Sequence, residues 1–382
     1  MKLATRSATI AGMANSNDSV EIRVFEPRDA PEVIKIVRKV FSLFTRASFH
    51  VTPNTLVAVD SGRVVGAVVL KFFESGERRR TGIVSWIFVD PDDTRRGVAA
   101  MLRDAALDVF SKNECAHVLA RIDRDNTSAT NLFAAAGFEP TGPGTVLSIF
   151  GFQSIRILRH TAHIFDPGHA LFIRSGTAPT PVATQPWLQL VASLVLHIPI
   201  VMLLLLRILE SPEWSPVMTY RLSAVVAALI LIRLSAMWLV ARYRGIRVQY
   251  HIWESGFLLS LGVAGIFDFL MPVTGSLYPR EPFWSVREFK GPLASMAAAG
   301  LILPAVILLV AVWATSVVSD PHALAWLWWI RRAGAWFLLT DGLLPVEPFS
   351  AYNAARIYRW SRTAWVCTAG LSLAVSVVAM TW

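Results

Sequence analysis

Apolar and polar positions follow two different rhythms along this chain, and the change falls near residue 180. In the first part the apolar runs are short. Val20–Phe25 alternates with period two and predicts a strand. Asp29 predicts a helix N-cap with Pro31 in the first turn, and Val33, Ile36, Val37, Val40, Phe41 and Phe44 follow at helical spacing. Two β-rich runs, Thr55–Asp60 and Arg63–Phe73, flank a hairpin turn at Asp60-Ser61-Gly62. Glu74–Arg80 reads as a charged loop. Gly82–Asp90 is apolar nearly throughout, which predicts a central strand. A helix opens after Gly97, with Leu102, Ala105, Ala106, Val109 and Phe110 on one face. His117–Ile122 predicts a strand, Asn126 precedes a helix ending at Gly137, and Thr145–Gly151 is expected to close the sheet. The predicted order is β-α-β-β-β-α-β-α-β.

In the second part the runs lengthen. Gly176–Pro186 is rich in Pro, Thr and Ala and reads as a semi-rigid linker. Trp187–Leu206 carries no charge and is long enough to cross about 30 Å as a helix. Leu222–Ala241 is interrupted only by Arg233, and Gly256–Met271 is shorter and contains Asp268. Leu293–Ala314 is long and uncharged, Ala323–Leu344 is Trp-rich with Arg331 and Arg332, and Thr363–Thr381 follows. The expected organisation is a disordered lead over 1–18, an α/β domain over 19–152 and a linker over 153–186. An all-α polytopic membrane domain with five to six transmembrane segments follows over 187–382.

Composition agrees with that division. Hydrophobic residues make up 54% of the 382 residues and charged ones 16%, against about 25% charged in ordinary soluble domains. Such a chain can bury apolar surface, which excludes a disordered protein. The formal charge is +9, but no Lys/Arg run is interleaved with base-stacking aromatics, so nucleic acid is not an expected partner. The two cysteines, Cys115 and Cys367, cannot form a disulfide framework. Basic clusters at Arg242, Arg244 and Arg247, at Arg280, Arg287 and Lys290, and at Arg356, Arg359 and Arg362 set orientation. If Gly256–Met271 enters and leaves from one side, all three clusters share the face of the first half, and five spans result. If it crosses, there are six. The excess of basic residues on one face then predicts an integral protein of a bacterial or archaeal plasma membrane with a cytoplasmic N-terminal domain.

The Gly97 loop suggests chemistry. Backbone N–H groups at a helix start make an anion site, Arg95 and Arg96 add positive charge, and a pyrophosphate is the natural occupant. Residues 20–151 resemble the GNAT family of acetyl-CoA-dependent N-acyltransferases, whose pyrophosphate loop reads V-x-P-x-x-Q/R-x-x-G-x-G/A. Val89, Pro91, Gly97 and Ala99 match it, while Thr94 replaces Gln or Arg. The second signature, N-x-x-A-x-x-x-Y-x-x-x-G-F, is matched by Asn126, Ala129, Gly137 and Phe138, with Phe133 at the Tyr position. The resemblance implies an α/β fold with a splayed mixed sheet and helices on both faces. It also implies a strand whose Ile87, Phe88 and Val89 backbone pairs with pantetheine. Arg95, Arg96, Gly97, Val98, Ala99 and Ala100 would hold the pyrophosphate, and Asn126 and Phe133 would lie on the cofactor. Phe133 has no proton for a leaving thiolate. The general base stays open among Glu74, Glu77 and Ser85.

Residues 187–382 resemble the site-2-protease-like intramembrane zinc metalloproteases. Gly291-Pro-Leu-Ala-Ser295, Leu343-Leu-Pro-Val-Glu-Pro-Phe-Ser350 and Leu239-Val-Ala-Arg-Tyr-Arg-Gly245 carry the likeness. The zinc chemistry needs two His at i and i+4, a Glu base and a carboxylate ligand. Those positions hold Arg233, Met237, Leu234 and Ser350, so no metal is expected. His197, His251, Glu254, Asp268, Asp341 and Asn353 are the remaining polar residues. His251 and Glu254 at i, i+3 form at most half a metal site, and Asp268 is one guess for the partner of Arg233.

Three function classes follow. The first is a membrane-anchored N-acetyltransferase using acetyl-CoA and an amine acceptor of unknown identity. The second is a non-catalytic acetyl-CoA sensor whose pseudoprotease half binds a membrane protein. The third is an active metalloprotease with unusual ligands.

Overall fold

The structure, a computed structural model, describes residues 20–41, 46, 49–75, 79–94, 97–123, 126–161, 169–176, 185–209, 215–280, 286–345, 349 and 351–381. The expected lead over 1–18 lies outside them. So do Phe44, Glu77, Arg95, Arg96 and Ser350.

The first half is a seven-stranded sheet. In chain order its elements are β1 (Val20–Val24), α1 (Ala30–Val40), β2 (Leu56–Asp60), β3 (Arg63–Ser75), β4 (Arg79–Val89), α2 (Val98–Lys112) and β5 (Cys115–Asp123). Then come α3 (Thr127–Ala134), β6 (Glu139–Thr141), α4 (Pro143–Phe150), α5 (Ser154–His160) and β7 (His169–Ser175). The strand order is β1-β2-β3-β4-β5-β7-β6, so β4 is central, as its apolar run predicts. Among the described residues only β4 and β5 pair in parallel, and α2 supplies the crossover that such a pair requires.

Period-two alternation sends side chains to two faces. Val98, Leu102, Ala106 and Phe110 of α2 pack with Leu56, Val68, Leu70, Val84, Val118 and Ala120 on one face. On the other, Val33, Ile36 and Val37 of α1 meet Val57, Val64, Ala67 and Phe88. Farther along that face Val146, Phe150 and Ile157 of α4 and α5 cover Phe73, Ile83, Leu119 and Leu171. Each such large side chain stabilises the fold by about 1.5–3 kcal/mol. Gly82 is needed where α2 crosses β4, because a Cβ there would stand 2.4 Å from the Phe110 ring.

Three sequence expectations are corrected. Thr145–Gly151 is not a strand. Pro143 starts helix α4, and Val146 and Phe150 are buried four residues apart, on one helical face. The closing strand is instead β7, within the stretch read as linker, and it inserts between β5 and β6. Glu74 and Arg80 belong to paired strands rather than to a loop. Asp29 occupies the N-cap position of α1, but its carboxylate accepts from Arg23 Nη1 and Nη2 at 2.7 Å and from Glu26 N at 2.8 Å. The Arg23 hydrogen bonds hold the Asp29 carboxyl below its ordinary value.

The second half contains α6 (Pro186–Ile208), α7 (Pro216–Tyr243), the antiparallel strands β8 (Val248–His251) and β9 (Ser276–Pro279), and α8 (Glu254–Phe267) between them. It continues with α9 (Val286–Val317), α10 (Pro321–Leu343), α11 (Asn353–Trp360) and α12 (Arg362–Thr381). Four of these helices, α6, α7, α9 and α12, are long and apolar enough to cross a membrane. Helix α8 has 14 residues and is about 21 Å long, short of a bilayer core. Helix α10 has the length, but it carries Arg331, Arg332 and Asp341.

Candidate functional site

The sheet of the first half splits along β4. Its pairing with β3 runs on to Val89 opposite Gly66, whereas its pairing with β5 stops at Val84 opposite Ala120. The β3 register jumps from Leu70–Val84 to Val69–Trp86, which leaves Ser85 as a bulge where the split begins. Beyond it, Ile87, Phe88 and Val89 have one edge bonded to β3 and one edge open toward β5. In an extended strand alternate residues turn N–H and C=O to opposite edges, so this stretch offers unpaired backbone groups to an extended ligand.

The loop after β4 leads to the start of α2. Gly97 is the N-cap of α2 at φ +76°, a left-handed conformation that favours glycine. A Cβ there would meet nothing within 4 Å, so the position opens onto free space. The Gly97 carbonyl accepts from Ala100 N at 2.9 Å and Met101 N at 3.0 Å. The N–H groups of Val98 and Ala99 are in the first turn, where no intrahelical acceptor exists, and the turn has no acidic residue. Val98 is buried, and Ala99 and Ala100 are half-buried. This cradle fits a pyrophosphate, an anion that takes N–H donors and helix-start polarity together.

Three aspartates stand beside the cradle, and two cations from elsewhere in the fold engage them. Lys39 Nζ donates to Asp90 at 2.9 and 3.0 Å and to Asp92 at 2.8 Å. Arg63 Nη2 donates to Asp93 at 2.7 Å. Burial alone would push the Asp90 carboxyl up. The Lys39 hydrogen bond and the Asp92 N–H outweigh it and hold the group below its ordinary value. The loop is thereby fixed to α1 and β3, and the two cations offset part of its negative charge before any anion arrives.

The other sequence candidates divide. Asn126 is the exposed N-cap of α3, accepting from Ala129 N at 3.1 Å. Phe133 is a core residue, its ring edge-on to Phe138 with centroids 5.0 Å apart. Glu74 is exposed and 3.5 Å from Arg80. Lys71 was not singled out from the sequence. It is half-buried on β3 opposite Ile83, on the face away from α2, and burial, with Arg121 adding, lowers its ammonium from the ordinary value. The signal was a lone Lys inside the run Val68-Val-Leu-Lys-Phe-Phe73.

In the second half the expected partner of Arg233 is corrected. Arg233 pairs with Asp341, at 2.8 Å from Nε and 3.1 Å from Nη2, and both residues are fully buried. Asp268 ends α8 at φ +52° and pairs with Arg207 at 3.1 Å, both about half exposed. A left-handed Asp at a helix end turns outward, which a linear reading of hydropathy does not reveal. His197 is structural: Nδ1 donates to Ser193 O at 2.6 Å and Nε2 accepts from Val273 N at 3.0 Å. Its lone pairs and proton are thus used. Among the described residues no group of three His, Cys, Asp or Glu is arranged to hold a metal.

Residues 25–138 match the Acetyltransferase (GNAT) family. No curated protein matches the chain. Among solved structures, it is similar to a chain of the NatC complex bound to Gag peptide and CoA. That match has 19% identity, 41% of this chain, 98% of the other and a TM-score of 0.32. The ribosomal-protein-S18-alanine N-acetyltransferase from Escherichia coli gives 16% identity, 42% of this chain, 96% of the other and 0.31. N-acetylglutamate synthase from Neisseria gonorrhoeae, complexed with coenzyme A and N-acetyl-glutamate, gives 18%, 44%, 36% and 0.33.

Proposed function

We propose that the GNAT domain binds acetyl-CoA across the split in its sheet and transfers the acetyl group to an amine at the cytoplasmic face of a membrane. The observation that carries this reading is Gly97, left-handed and open in front of α2, at the end of the strand whose outer edge is unpaired. Acetyl-CoA supplies an activated thioester. The Gly97, Val98 and Ala99 backbone would hold the pyrophosphate, Ala100 would continue the turn, and Arg95 and Arg96 would add charge. The open edge at Ile87, Phe88 and Val89 would align the pantetheine arm. The neutral amine nitrogen of the acceptor then attacks the thioester carbon, the C–N bond forms, the C–S bond breaks, the sulfur leaves as thiolate, and the proton shed by the nitrogen passes to solvent.

Phe133 offers no proton to that thiolate, and its burial supports a packing role. The thiol is acidic enough, with a pKa of about 8.5 for a free thiol, to leave without a dedicated acid. Lys71 and Arg121 lie on the face opposite α2, where an acceptor would approach. The loss of a proton donor also favours a second reading, a domain that binds acetyl-CoA without turnover and so senses it.

The four long apolar helices support membrane anchoring. The buried Arg233 at a position where a relative of site-2 proteases would place a zinc-binding His supports a pseudoprotease reading of the second half.

Calorimetric titration of acetyl-CoA into the full chain in detergent, with a thioester-loss assay over mixed amines, separates the readings. Gly97→Glu puts bulk and negative charge into the cradle and is expected to weaken binding roughly tenfold or more, about 1.4 kcal/mol. Binding with turnover supports the transferase, and binding without turnover supports the sensor. Equal affinity in Gly97→Glu and wild type would place the cofactor elsewhere.

A further inference from the structure

Among the described residues, the helical half buries two guanidinium groups close in the fold, Arg233 and Arg356, and one carboxylate, Asp341. Each nitrogen of Arg233, on α7, has a partner. Besides Asp341, it donates through Nη1 to Gly275 O at 3.2 Å and through Nη2 to Ala351 O at 3.3 Å. Asp341 also accepts from Asn353 N at 2.9 Å and Asn353 Nδ2 at 2.7 Å. One carboxylate therefore neutralises one guanidinium and orders the start of α11.

A second guanidinium follows. Arg356 lies one turn past Asn353 on the same face of α11, and it is only 5% exposed. Its guanidinium carbon stands 4.6 Å from the centroid of the Tyr278 ring. None of its three nitrogens has a partner at strict hydrogen-bond geometry among the described residues, and the Tyr278 side chain, which interacts with it, is neutral. A ring face offsets only part of the cost of taking a cation out of water.

Other buried atoms of this half also lack partners among the described residues, and two of them belong to residues that flank this group. Ser276 Oγ belongs to β9, two residues from Tyr278 and so on the same face of that strand. Asn353 Oδ1 is the other, and a neutral amide does not cancel a charge. Donors dominate this set, with three guanidinium nitrogens and a hydroxyl against one amide oxygen. A cation would be repelled, and water would bond the donors but leave the charge. An acceptor-rich anion meets both demands.

The position narrows the ligand. Helix α12 begins at Arg362, six residues after Arg356, so the guanidinium lies close to the end of an apolar helix. If α12 crosses a bilayer, that is headgroup depth, where basic pockets between helices take phosphate groups. We propose that Arg356 anchors a phosphate-class oxyanion site in the helical half, with Ser276 as a second donor.

The test uses the full chain in nanodiscs of phosphatidylcholine, alone, with phosphatidylglycerol added, or with inorganic phosphate in the buffer. The unfolding midpoint is read by tryptophan fluorescence for wild type, Arg356→Met, Arg356→Lys and Arg244→Gln. The wild-type midpoint is expected to rise with at least one additive, and Arg356→Met is expected to lose that rise. Arg244→Gln, an exposed control, should respond like wild type. A rise with phosphatidylglycerol alone assigns the site to a lipid headgroup, and a rise with inorganic phosphate assigns it to the free ion. If Arg356→Met does not fold, Arg356→Lys decides, because Lys keeps the charge but lacks the planar fork. A weakened response then supports the site. No wild-type rise with either additive, or an equal rise in the Arg356 variants, overturns it.

Discussion

Each half of the chain buries an aspartate beside a basic side chain, and the two pairs are built differently. In the α/β half the Asp90 side chain is 4% exposed, but its partners Lys39 and Arg63 are 36% and 51% exposed. They reach in from solvent on long stems, so the contact can open and close while both cations stay wet. In the helical half Asp341 and Arg233 are both at 0%, and each is carried on a long helix. There the pair has no water to fall back on. The first arrangement positions a loop, whereas the second commits α7, α10 and the start of α11 to one packing.

The largest effect expected from that difference is at Arg233. Arg233→Met leaves Asp341 buried and unpaired and should cost roughly 3–5 kcal/mol, enough to prevent a monodisperse protein. Adding Asp341→Leu removes the orphaned charge, and the double variant should regain much of the loss, as read by yield and by thermal unfolding in detergent. A double variant as unstable as the single one would mean that the pair also has a structural role that an apolar replacement cannot fill.

Lys39 gives a smaller, pH-dependent effect. The folded Asp90 carboxyl is held below its ordinary value, so its contribution is complete above about pH 4, the unfolded carboxylate value, and is lost as pH falls through the folded value. Lys39→Met raises the Asp90 value and removes most of that contribution. Amides 85–94 should therefore exchange faster in the variant at pH 7, and the gap should close as pH falls below about 4. A gap that persists into acid would mean Lys39 acts by packing alone.

The smallest effect is at the cysteines. Burial pushes the Cys115 thiol up to about 11, with Arg80 opposing weakly, whereas Cys367 is exposed. In Cys367→Ser a thiol reagent at pH 7.5 should label Cys115 only after denaturant is added. Ready labelling of the folded variant would show that the start of β5 opens more readily than its packing implies.

Much of the α/β domain was legible because its signals are local. Gly97 marks a backbone conformation, and the apolar run of Gly82–Asp90 marks a central strand. β7 escaped because its apolar run, Ala170–Ile173, is short, and its place in the sheet depends on pairing with β5 across a long stretch of chain, as in His117 with Ser175. Thr145–Phe150 misled because β-branched residues lay on a helical face fixed by Pro143. The Arg233 partner was beyond local reading, since hydropathy places a charge in a run but does not say which helix faces it. Lys39 and Arg63 were invisible for the same reason, being 51 and 30 residues from the aspartates they hold.

The place of β7 bears on how the protein is made. The strand sits between β5 and β6, so the sheet cannot close until Ser175 has been synthesised and has left the ribosome. Pro186, the first residue of α6, follows Ser175 by only eleven positions. The ribosomal exit tunnel holds more chain than that. The first long apolar helix is therefore already being polymerised while the sheet still lacks an interior strand. Completion of the seven-stranded sheet and delivery of the first apolar helix become one event in time, and a longer spacer between residues 176 and 186 would separate them.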